Sequence, residues 1–373
     1  METFAKIKVV GVGGAGGNIV SRMVESKIQG VEFIAINADS QDLHHCSAQQ
    51  KLLIGKNLTK GLGAGMNPDI GRQAAEENRD EIHEVLKGAD LVFVTYGLGG
   101  GVGTGAGPIV AEAARDVGAL TVGVVTKPFA FEGSQRSRIA AEGLAILQSE
   151  VDTLITIPND KLLQTIERNT SLMDAFRVAD DVLRQAVQGI SDIIVTPGLV
   201  NVDFADLRAV MQGAGLALMG IGKAQGEDRA VEAARMAINS PLLEVSIDGA
   251  RGIIFNVAGG NDLTMFEINE AAKIITDSID PQAKVIFGAV TDTQLKKGEI
   301  KITVIAAGFG DQPVKKEKDD RRDRAEIKTE ATSKPEMASP VKKLSGFSSQ
   351  VNQIESNGDD EWDIPPFIRR KMK

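Results

Sequence analysis

The chain has 373 residues, 42% of them hydrophobic and 25% charged, with a formal net charge of −9 at pH 7. This length suffices for two domains with cores of their own, and the acidic balance argues against a general nucleic-acid binder. A single cysteine, Cys46, excludes an intramolecular disulfide and favours a reducing compartment.

The composition also argues against membrane insertion and against a structural metal. No N-terminal apolar segment of the signal-peptide type and no run of 18 apolar residues occurs, so we expect a protein that is neither exported nor membrane-spanning. Three histidines, at 44, 45 and 83, and one cysteine are too few for a structural zinc site. We therefore assign no metal to protein side chains.

The first predicted strand runs into a glycine-rich loop. The loop is Gly11-Val-Gly-Gly-Ala-Gly-Gly-Asn18, and a helix is predicted after it from residue 19 to 26. Its G-x-G-x-x-G spacing matches the fingerprint of dinucleotide sites, and Asp39 follows the next strand, where a ribose-binding acid is expected. Taken alone, this loop favours NAD.

A second glycine loop follows the apolar run Leu91–Tyr96. Residues 97–108 hold seven glycines and one threonine, so the backbone N–H groups are free to surround an anion such as a phosphate chain. A helix is predicted from Ala106 to Val117, opened by Pro108, and its N-terminus adds partial positive charge. Since each glycine costs about 0.5–1 kcal/mol in regular structure, a purely structural role for seven is disfavoured.

Together the two loops change the prediction from a dinucleotide to a nucleoside triphosphate. A dinucleotide needs one phosphate loop, whereas a triphosphate in an open sheet can use two. The chain contains no G-x-x-x-x-G-K-[ST] motif, so backbone and helix ends would hold the phosphates instead of a lysine. An NAD oxidoreductase stays the alternative, but His83 is a poor catalytic candidate and the second loop would be unexplained.

The order of predicted elements indicates an open, doubly wound α/β domain with a parallel sheet, followed by a smaller α+β domain. Between them lies a long helix with Ser171 as N-cap and an apolar stripe at Leu172, Phe176, Ala179, Leu183, Ala186 and Ile190. The predicted strands are 6–12, 32–37, 51–54, 90–96, 119–125 and 152–157, then 216–222, 252–258, 284–290 and 300–306, with helices at 227–239 and 267–278 in the second domain.

Several stretches resemble the tubulin/FtsZ family, the bacterial cell-division GTPases. The loop at 99–105 is similar to the family's G-G-G-T-G-[TS]-G loop, although Val102 stands where the family usually has Thr. A hydroxyl contact there is therefore absent, while Thr104 remains. The resemblance covers residues 6–310 and the C-terminal peptide, and its further motifs are Gly11 to Asn18, Asn37-Ala-Asp39, Gly61 to Pro68, Thr126 to Phe129 with Phe131 to Gly133, and Asn201 to Asp206.

The resemblance implies a GTPase that binds GTP or GDP with Mg²⁺. It implies a Rossmann-like nucleotide-binding domain at 1–170, a central helix at 171–195, and a C-terminal activation domain with the catalytic loop at 196–310. Within the nucleotide site, Glu132 and Arg136 are expected near the ribose, and Phe176 and Asp180 at the guanine. The remaining residues implied to bind the nucleotide are Gly13, Gly14, Ala15, Gly16, Gly17, Asn18, Asn37, Asp39, Ala64, Gly65, Gly99, Gly100, Gly101, Gly103, Thr104 and Gly105.

Asn201, Asp203 and Asp206 are the expected catalytic residues. From the sequence alone, two carboxylates at a helix N-terminus are explained by the helix dipole, worth about 0.3–1 kcal/mol each. The resemblance implies instead that this loop enters the nucleotide site of the next subunit, where its acids activate the attacking water. Hydrolysis would then depend on head-to-tail assembly. A scaffold that binds GTP without hydrolysis would lose one of these acids, and both are present.

The C-terminal part differs in composition. Residues 311–350 are rich in charge with one aromatic residue, so a disordered linker is predicted, to 358. Apolar residues return at 359–373, among charges of both signs, as in a peptide-recognition motif. The resemblance implies that this peptide binds membrane-tethering division adaptors, with no direct membrane insertion, and that the protein is cytoplasmic and assembles at midcell on the inner face of the membrane. The residues expected to bind are Trp362, Asp363, Ile364, Pro365, Phe367, Ile368 and Arg369.

Overall fold

Ten strands form one continuous sheet in the computed structural model, which describes residues 5–163, 170–195, 202–243, 246–260, 262–292 and 295–309. The spatial order is β3-β2-β1-β4-β5-β6-β7-β10-β8-β9. The strands are β1 Ile7–Val12, β2 Val31–Asn37, β3 Gln50–Leu53, β4 Leu91–Gly97, β5 Leu120–Lys127, β6 Thr153–Pro158, β7 Gly215–Gln225, β8 Gly252–Gly259, β9 Lys284–Thr291 and β10 Glu299–Ala307.

The sheet is parallel from β3 to β7, and β8 and β9 are also parallel to each other. Only β10 is antiparallel to its neighbours, β7 and β8. The two halves of the sheet meet where β6 pairs with β7, over three residue pairs from Thr153↔Gly215 to Ile155↔Ala217. The α/β class and the positions of all ten predicted strands are confirmed, within three residues at the ends.

Helices cover both faces of the parallel half. The helices of the described ranges are α1 Gly13–Glu25, α2 Ser40–His45, α3 Lys56–Thr59, α4 Pro68–Glu77, α5 Arg79–Leu86, α6 Gly101–Asp116, α7 Ser134–Glu150, α8 Asn159–Leu162, α9 Leu172–Val195, α10 Phe204–Met211, α11 Arg229–Ile238 and α12 Met265–Thr276, with a 3₁₀ turn at Ala130–Glu132.

The side chains of β1 contribute to two hydrophobic cores, one on each face of the sheet. Ile7 and Val9 belong to the core that includes buried residues of α1 and α9, whereas Val10 and Val12 belong to the core that includes α4 and α6. All four side chains are at most 2% exposed. Successive residues of a strand point to opposite faces, so a strand apolar throughout must be covered on both sides.

The long helix α9 begins as the sequence predicts. The Ser171 hydroxyl accepts a hydrogen bond from the Asp174 amide at 3.1 Å, which satisfies one of the free N–H groups of the first turn. Its apolar stripe is buried from Ala179 to Ile190. Phe176 is 37% exposed, so the prediction that the stripe faces a core along its whole length is wrong at this residue.

Two helix starts differ from the prediction. The helix predicted from residue 19 begins at Gly13, and the helix predicted from Ala106 begins at Gly101, with Pro108 inside it. The glycines from Gly13 to Gly17 and from Gly101 to Gly107 are therefore helical, while residues 98–100 form the turn before α6. Glycine is a poor helix former, but tertiary packing overrides its propensity here.

The sequence argument disfavours a purely structural role for these glycines, but close packing explains why several of them carry no side chain. A Cβ on Gly105 would lie 2.0 Å from the carbonyl oxygen of Pro68, where α6 crosses α4. A Cβ on Gly107 would lie 2.3 Å from the ring of Tyr96, the chain's single tyrosine, which is fully buried. Backbone therefore packs directly on its neighbours along α6, and a side chain larger than hydrogen does not fit.

The division into domains at 170, 195 and 310 stays a prediction, because one hydrogen-bonded sheet runs through both halves. The predicted linker at 311–358 and the peptide at 359–373 lie outside the described residues.

We expect Gly105→Ala to lower the free energy of unfolding by about 1–3 kcal/mol, because the new methyl group must displace the Pro68 carbonyl. Gly100→Ala is the matched control, since a Cβ at Gly100 meets no atom within 4 Å. Urea denaturation followed by circular dichroism measures both. Equal stability of the two variants would show that α6 does not need close approach at residue 105.

Candidate functional site

The N-termini of two helices meet at one edge of the sheet. Helix α1 begins directly after β1, and α6 begins after the turn that follows β4, the neighbour of β1 in the sheet. Gly13 has a φ of +71°, and a Cβ there would lie 2.9 Å from the amide nitrogen of Gly103. Free N–H groups and the positive ends of both helix dipoles therefore border the same space, which favours an anion.

A cleft of about 430 Å³ opens at this point, beyond the carboxyl ends of the parallel strands. Ligands of open α/β sheets bind at this edge. The structure brings most of the predicted nucleotide-binding residues to its wall: Gly13, Gly14, Ala15, Asn37, Asp39, Ala64, Gly65, Gly100, Gly101, Gly103, Glu132, Arg136, Phe176 and Asp180.

Six predicted residues do not line this cleft: Gly16, Gly17, Asn18, Gly99, Thr104 and Gly105. Gly17 and Asn18 border a small adjoining crevice instead. The hydroxyl oxygen of Thr104 accepts a hydrogen bond from the Gly99 amide at 2.9 Å, and Thr104 is 3% exposed. This hydroxyl holds the turn before α6 in place.

Asp180 lies on the α9 side of the cleft and pairs with Arg22 of α1. The carboxylate is 3.0 Å from the Arg22 Nε, and 19% of its side chain is exposed. Burial raises the pKa of Asp180 to about 6, against the opposing effect of the Arg22 charge, and Asp181 adds a smaller repulsion. The cleft therefore contains a carboxylate that titrates close to neutral pH.

Three phenylalanines form a cluster that includes Phe176 at the cleft. Phe176, one helical turn before Asp180, makes an edge-to-face contact with Phe129, with ring centroids 5.3 Å apart. Phe131 stacks on Phe129 and is 57% exposed. An exposed aromatic face next to a hydrogen-bonding carboxylate suits a planar heterocycle that stacks and donates protons.

Glu132 and Arg136 also line the cleft and form an ion pair with each other. Glu132 also accepts a hydrogen bond from the amide of Phe129 at 2.9 Å. Its carboxylate is thereby held at the start of α7. Arg136 stays 39% exposed at its side chain, so its remaining donors are accessible from the cleft.

Asn159 and Asp42 are among the cleft residues that the sequence reasoning missed. Asn159, 5% exposed, follows β6 directly, and its Oδ1 is buried without a hydrogen-bond partner among the described residues. Asp42 lies on α2 one turn after Asp39, which caps that helix by accepting from Gln41 and Asp42 amides. The signal for Asn159 was its position directly after a parallel strand, because ligands of open α/β sheets bind at the carboxyl ends of the strands.

The predicted catalytic acids lie at the other end of the sheet. Asp203 is the N-cap of α10, accepting from the Ala205 amide at 3.2 Å, and Asp206 follows in the first turn. Helix α10 contacts the amino ends of the strands: the Thr153 hydroxyl at the start of β6 donates to the Met211 carbonyl oxygen. The cleft borders the carboxyl ends, and an eight-residue strand spans about 23 Å. These acids cannot reach the cleft of their own subunit.

Asn201, the third predicted catalytic residue, lies outside the described residues. Within the described ranges, no three His, Cys, Asp or Glu side chains are grouped for metal binding, and no helix combines the length and apolarity needed to cross a membrane.

Two family models match this chain. The GTPase domain of the tubulin/FtsZ family matches residues 6–167, and the C-terminal domain of the FtsZ family matches residues 215–310. The chain belongs to the tubulin/FtsZ family. It is thus a member of a family of GTPases, and the glycine-rich helix starts at the cleft lie within the matched GTPase domain.

Solved structures agree with this membership. An empty FtsZ dimer from M. jannaschii has 48% sequence identity and a TM-score of 0.80, over 83% of this chain and 89% of that chain. CetZ2 from Haloferax volcanii, in a protofilament with GTPγS bound, has 22% identity and a TM-score of 0.69, over 82% of this chain and 94% of that chain. CetZ1 from the same organism, a monomer with GDP bound, has 23% identity and a TM-score of 0.70, over 83% and 96%. The CetZ structures share the fold.

We expect GTP affinity to fall as the pH is lowered through about 6, because only the ionised Asp180 carboxylate accepts both the N1–H and N2–H of guanine. Asp180→Asn should lose this pH dependence and prefer xanthosine triphosphate, whose C2 carbonyl accepts from the new amide. Calorimetric titration of both nucleotides between pH 5 and 8 measures this. An unchanged preference for GTP in the variant would assign guanine recognition to another residue, with Asp181 next to be tested.

Proposed function

We propose that the protein is a GTPase that polymerises head to tail into the filaments of the cytokinetic ring and hydrolyses GTP between subunits. The observation that carries this proposal is the separation of the cleft from Asp203 and Asp206 by the length of the sheet. Family membership supplies the GTPase chemistry, and the separation explains why one subunit alone has an incomplete site. The similar FtsZ dimer and CetZ2 protofilament support self-association.

In this proposal the two helix starts, α1 and α6, hold the phosphates through backbone N–H groups. Phe176 stacks on the guanine, while Asp180 and the Oδ1 of Asn159, which has no partner among the described residues, accept hydrogen bonds from its N–H groups. An oxygen that is buried without a partner costs about 1–3 kcal/mol, and a donor on the ligand would remove that cost. Arg136 lies toward the ribose.

The oxygen atoms around the phosphate end of the cleft fit Mg²⁺. Asn37, Asp39 and Asp42 offer hard oxygen donors there, the type that Mg²⁺ prefers, often through retained waters. When bound, the ion would neutralise negative charge on the phosphates and so favour phosphoryl transfer. Without a cation these carboxylates would repel the triphosphate.

Asp203 and Asp206 are proposed to act on the nucleotide of the adjoining subunit. Both are exposed on the surface and one helical turn apart, so they present two carboxylates on one face. There they orient and polarise the water that attacks the γ-phosphate, together with Asn201 of the same loop. A heterologous contact of this kind repeats without closing and gives a filament.

The C-terminal peptide is proposed to bind membrane-attached division adaptors, which places the filaments at midcell on the inner face of the membrane. Its basic residues, Arg369, Arg370, Lys371 and Lys373, are too few for stable anchoring alone. The segment at 311–358 supplies reach between the peptide and the filament.

Complementation between two variants tests catalysis in trans. Asp206→Ala keeps its cleft but lacks an acid, and Asp180→Asn keeps its acids but has a cleft for xanthosine triphosphate. With both nucleotides present, each variant alone should release GDP at a rate at least about a hundredfold below the unmodified protein. A 1:1 mixture should recover GDP release, to about half the normal rate per Asp206→Ala subunit, because half of its neighbours carry both acids.

Failure of the mixture to recover would contradict the shared site. Turnover of the unmodified protein gives a second readout, since the rate per subunit should rise with concentration above the assembly threshold. A rate independent of concentration would mean that a single subunit hydrolyses GTP.

Deleting residues 359–373 should leave GTP-dependent polymers intact but abolish recruitment to vesicles coated with a membrane-attached adaptor. Trp362 is the chain's single tryptophan, so its emission should shift to the blue on adaptor binding without background from other residues. A shuffled peptide of the same composition is the control. Recruitment of the truncated protein with unchanged affinity would move the adaptor site to another surface.

A further inference from the structure

Arg208 links the helix that carries the acids to the helix that borders the phosphates. It lies on α10, one turn after Phe204, and its guanidinium is 5.5 Å from the centre of that ring. Its Nη2 donates to the carbonyl oxygen of Gly118 at 3.1 Å. Gly118 belongs to the turn between α6 and β5, where the chain leaves the C-terminus of α6.

The Gly118 carbonyl is a suitable acceptor for a cation. Gly118 lies two residues beyond the end of α6, so its carbonyl is close to a helix C-terminus, which carries partial negative charge. Helix α6 has 16 residues, about 24 Å, so its N-terminus borders the cleft while its C-terminus receives Arg208. Helix α6 thus connects the cleft with the contact between Gly118 and α10.

Besides the hydrogen bond that the Thr153 hydroxyl donates to the Met211 carbonyl oxygen in the last turn, the other contacts of α10 are mainly apolar. Leu207 and Met211 are fully buried, and Val210 is 8% exposed. Apolar packing holds a helix against a core but is not directional, whereas a charge-assisted hydrogen bond fixes position and orientation. The bond from Arg208 is therefore well placed to fix where the first turn of α10 points.

We propose that Arg208 is a positioning residue for catalysis: it ties α10 to the C-terminus of α6 and so sets the position at which Asp203 and Asp206 meet the nucleotide of the next subunit. This inference rests on the proposed function. Arg208 touches neither nucleotide nor water and acts through α10.

Two substitutions separate the hydrogen bond from side-chain packing. Arg208→Met keeps an apolar side chain beside Phe204 but removes every donor, and we expect kcat for GTP to fall about ten- to a hundredfold because the acids are misplaced by about an ångström. Arg208→Lys retains one donor for Gly118. The Nε of Arg208 has no partner among the described residues, so lysine loses little and should restore most of kcat.

The remaining measurements distinguish positioning from a general structural role. GTP affinity, the concentration threshold for assembly and the melting temperature of Arg208→Met should stay close to those of the unmodified protein. Arg138→Ala, on exposed α7, is the control for loss of an arginine. A fall in GTP affinity equal to the fall in kcat, or an equal loss of kcat in the lysine variant, would overturn the proposal.

Mixed filaments test whether Arg208 acts on the neighbour. With GTP and xanthosine triphosphate present, Arg208→Met should regain GDP release when mixed with Asp180→Asn, whose α10 is intact. It should not regain activity when mixed with Asp206→Ala, since both then lack a functional acid helix. Absence of recovery with Asp180→Asn would show that Arg208 acts within its own subunit and would refute the proposal.

The control pair, Asp206→Ala with Asp180→Asn, distinguishes a failure of catalysis in trans from a failure of the proposed role of Arg208. If that pair fails to recover, catalysis in trans is wrong. If that pair recovers while Arg208→Met has unchanged turnover, the proposed function stands and the role of Arg208 is wrong.

Discussion

Close approach between backbones is the constraint on which the rest of the structure depends. Two helices begin at the carboxyl ends of adjacent strands, and their first turns touch each other at Gly13 and Gly103 and touch α4 at Gly105. Side chains would hold these segments apart by several ångströms, and the free N–H groups of the two helix ends would then face different spaces. Because the glycines have no side chains, two helix dipoles and two sets of N–H donors converge on one space. The glycines thus determine both the packing of α6 and the chemistry of the cleft.

The cleft walls at Asp180 and Asn159 differ from the helix starts, because their polar groups are incompletely paired or paired with groups that a ligand can replace. Asp180 is paired with Arg22 on another helix, and Asn159 has a buried oxygen without a partner in the described part of the chain. A ligand with suitable donors removes the cost of that unpaired oxygen and competes for the carboxylate. In the proposed GTPase, specificity for a base would depend on these two groups, one without a partner and one that changes partner when the base binds.

Much of this arrangement is predictable from the sequence because parallel sheets have strong local signals. Continuous apolar runs identified the strands, and the glycine segments after them identified the edge at which ligands bind. The starts of α1 and α6 were not predictable from propensity, since the contacts that favour a glycine helix come from distant residues such as Pro68 and Tyr96. The same holds for the pairing of Asp180 with Arg22, which depends on how α9 packs on α1. The position of Asp203 and Asp206 at the end of the sheet opposite the cleft could be read only from the structure. The number of residues between two elements does not show which end of a strand a helix contacts.

The place of β10 in the sheet has a consequence for how the chain is synthesised. It is the final strand of the described chain, yet it lies between β7 and β8 and supplies the hydrogen bonds of one full side of each. Until residues 299–307 have left the ribosome, both strands present unpaired edges, and such edges pair readily with other chains. The parallel half, from β3 to β6, is complete by residue 158 and needs no later segment for its own pairing. Synthesis therefore passes through a stage in which one half can be folded while the other exposes two strand edges, the stage at which chaperone binding or aggregation would act on this chain.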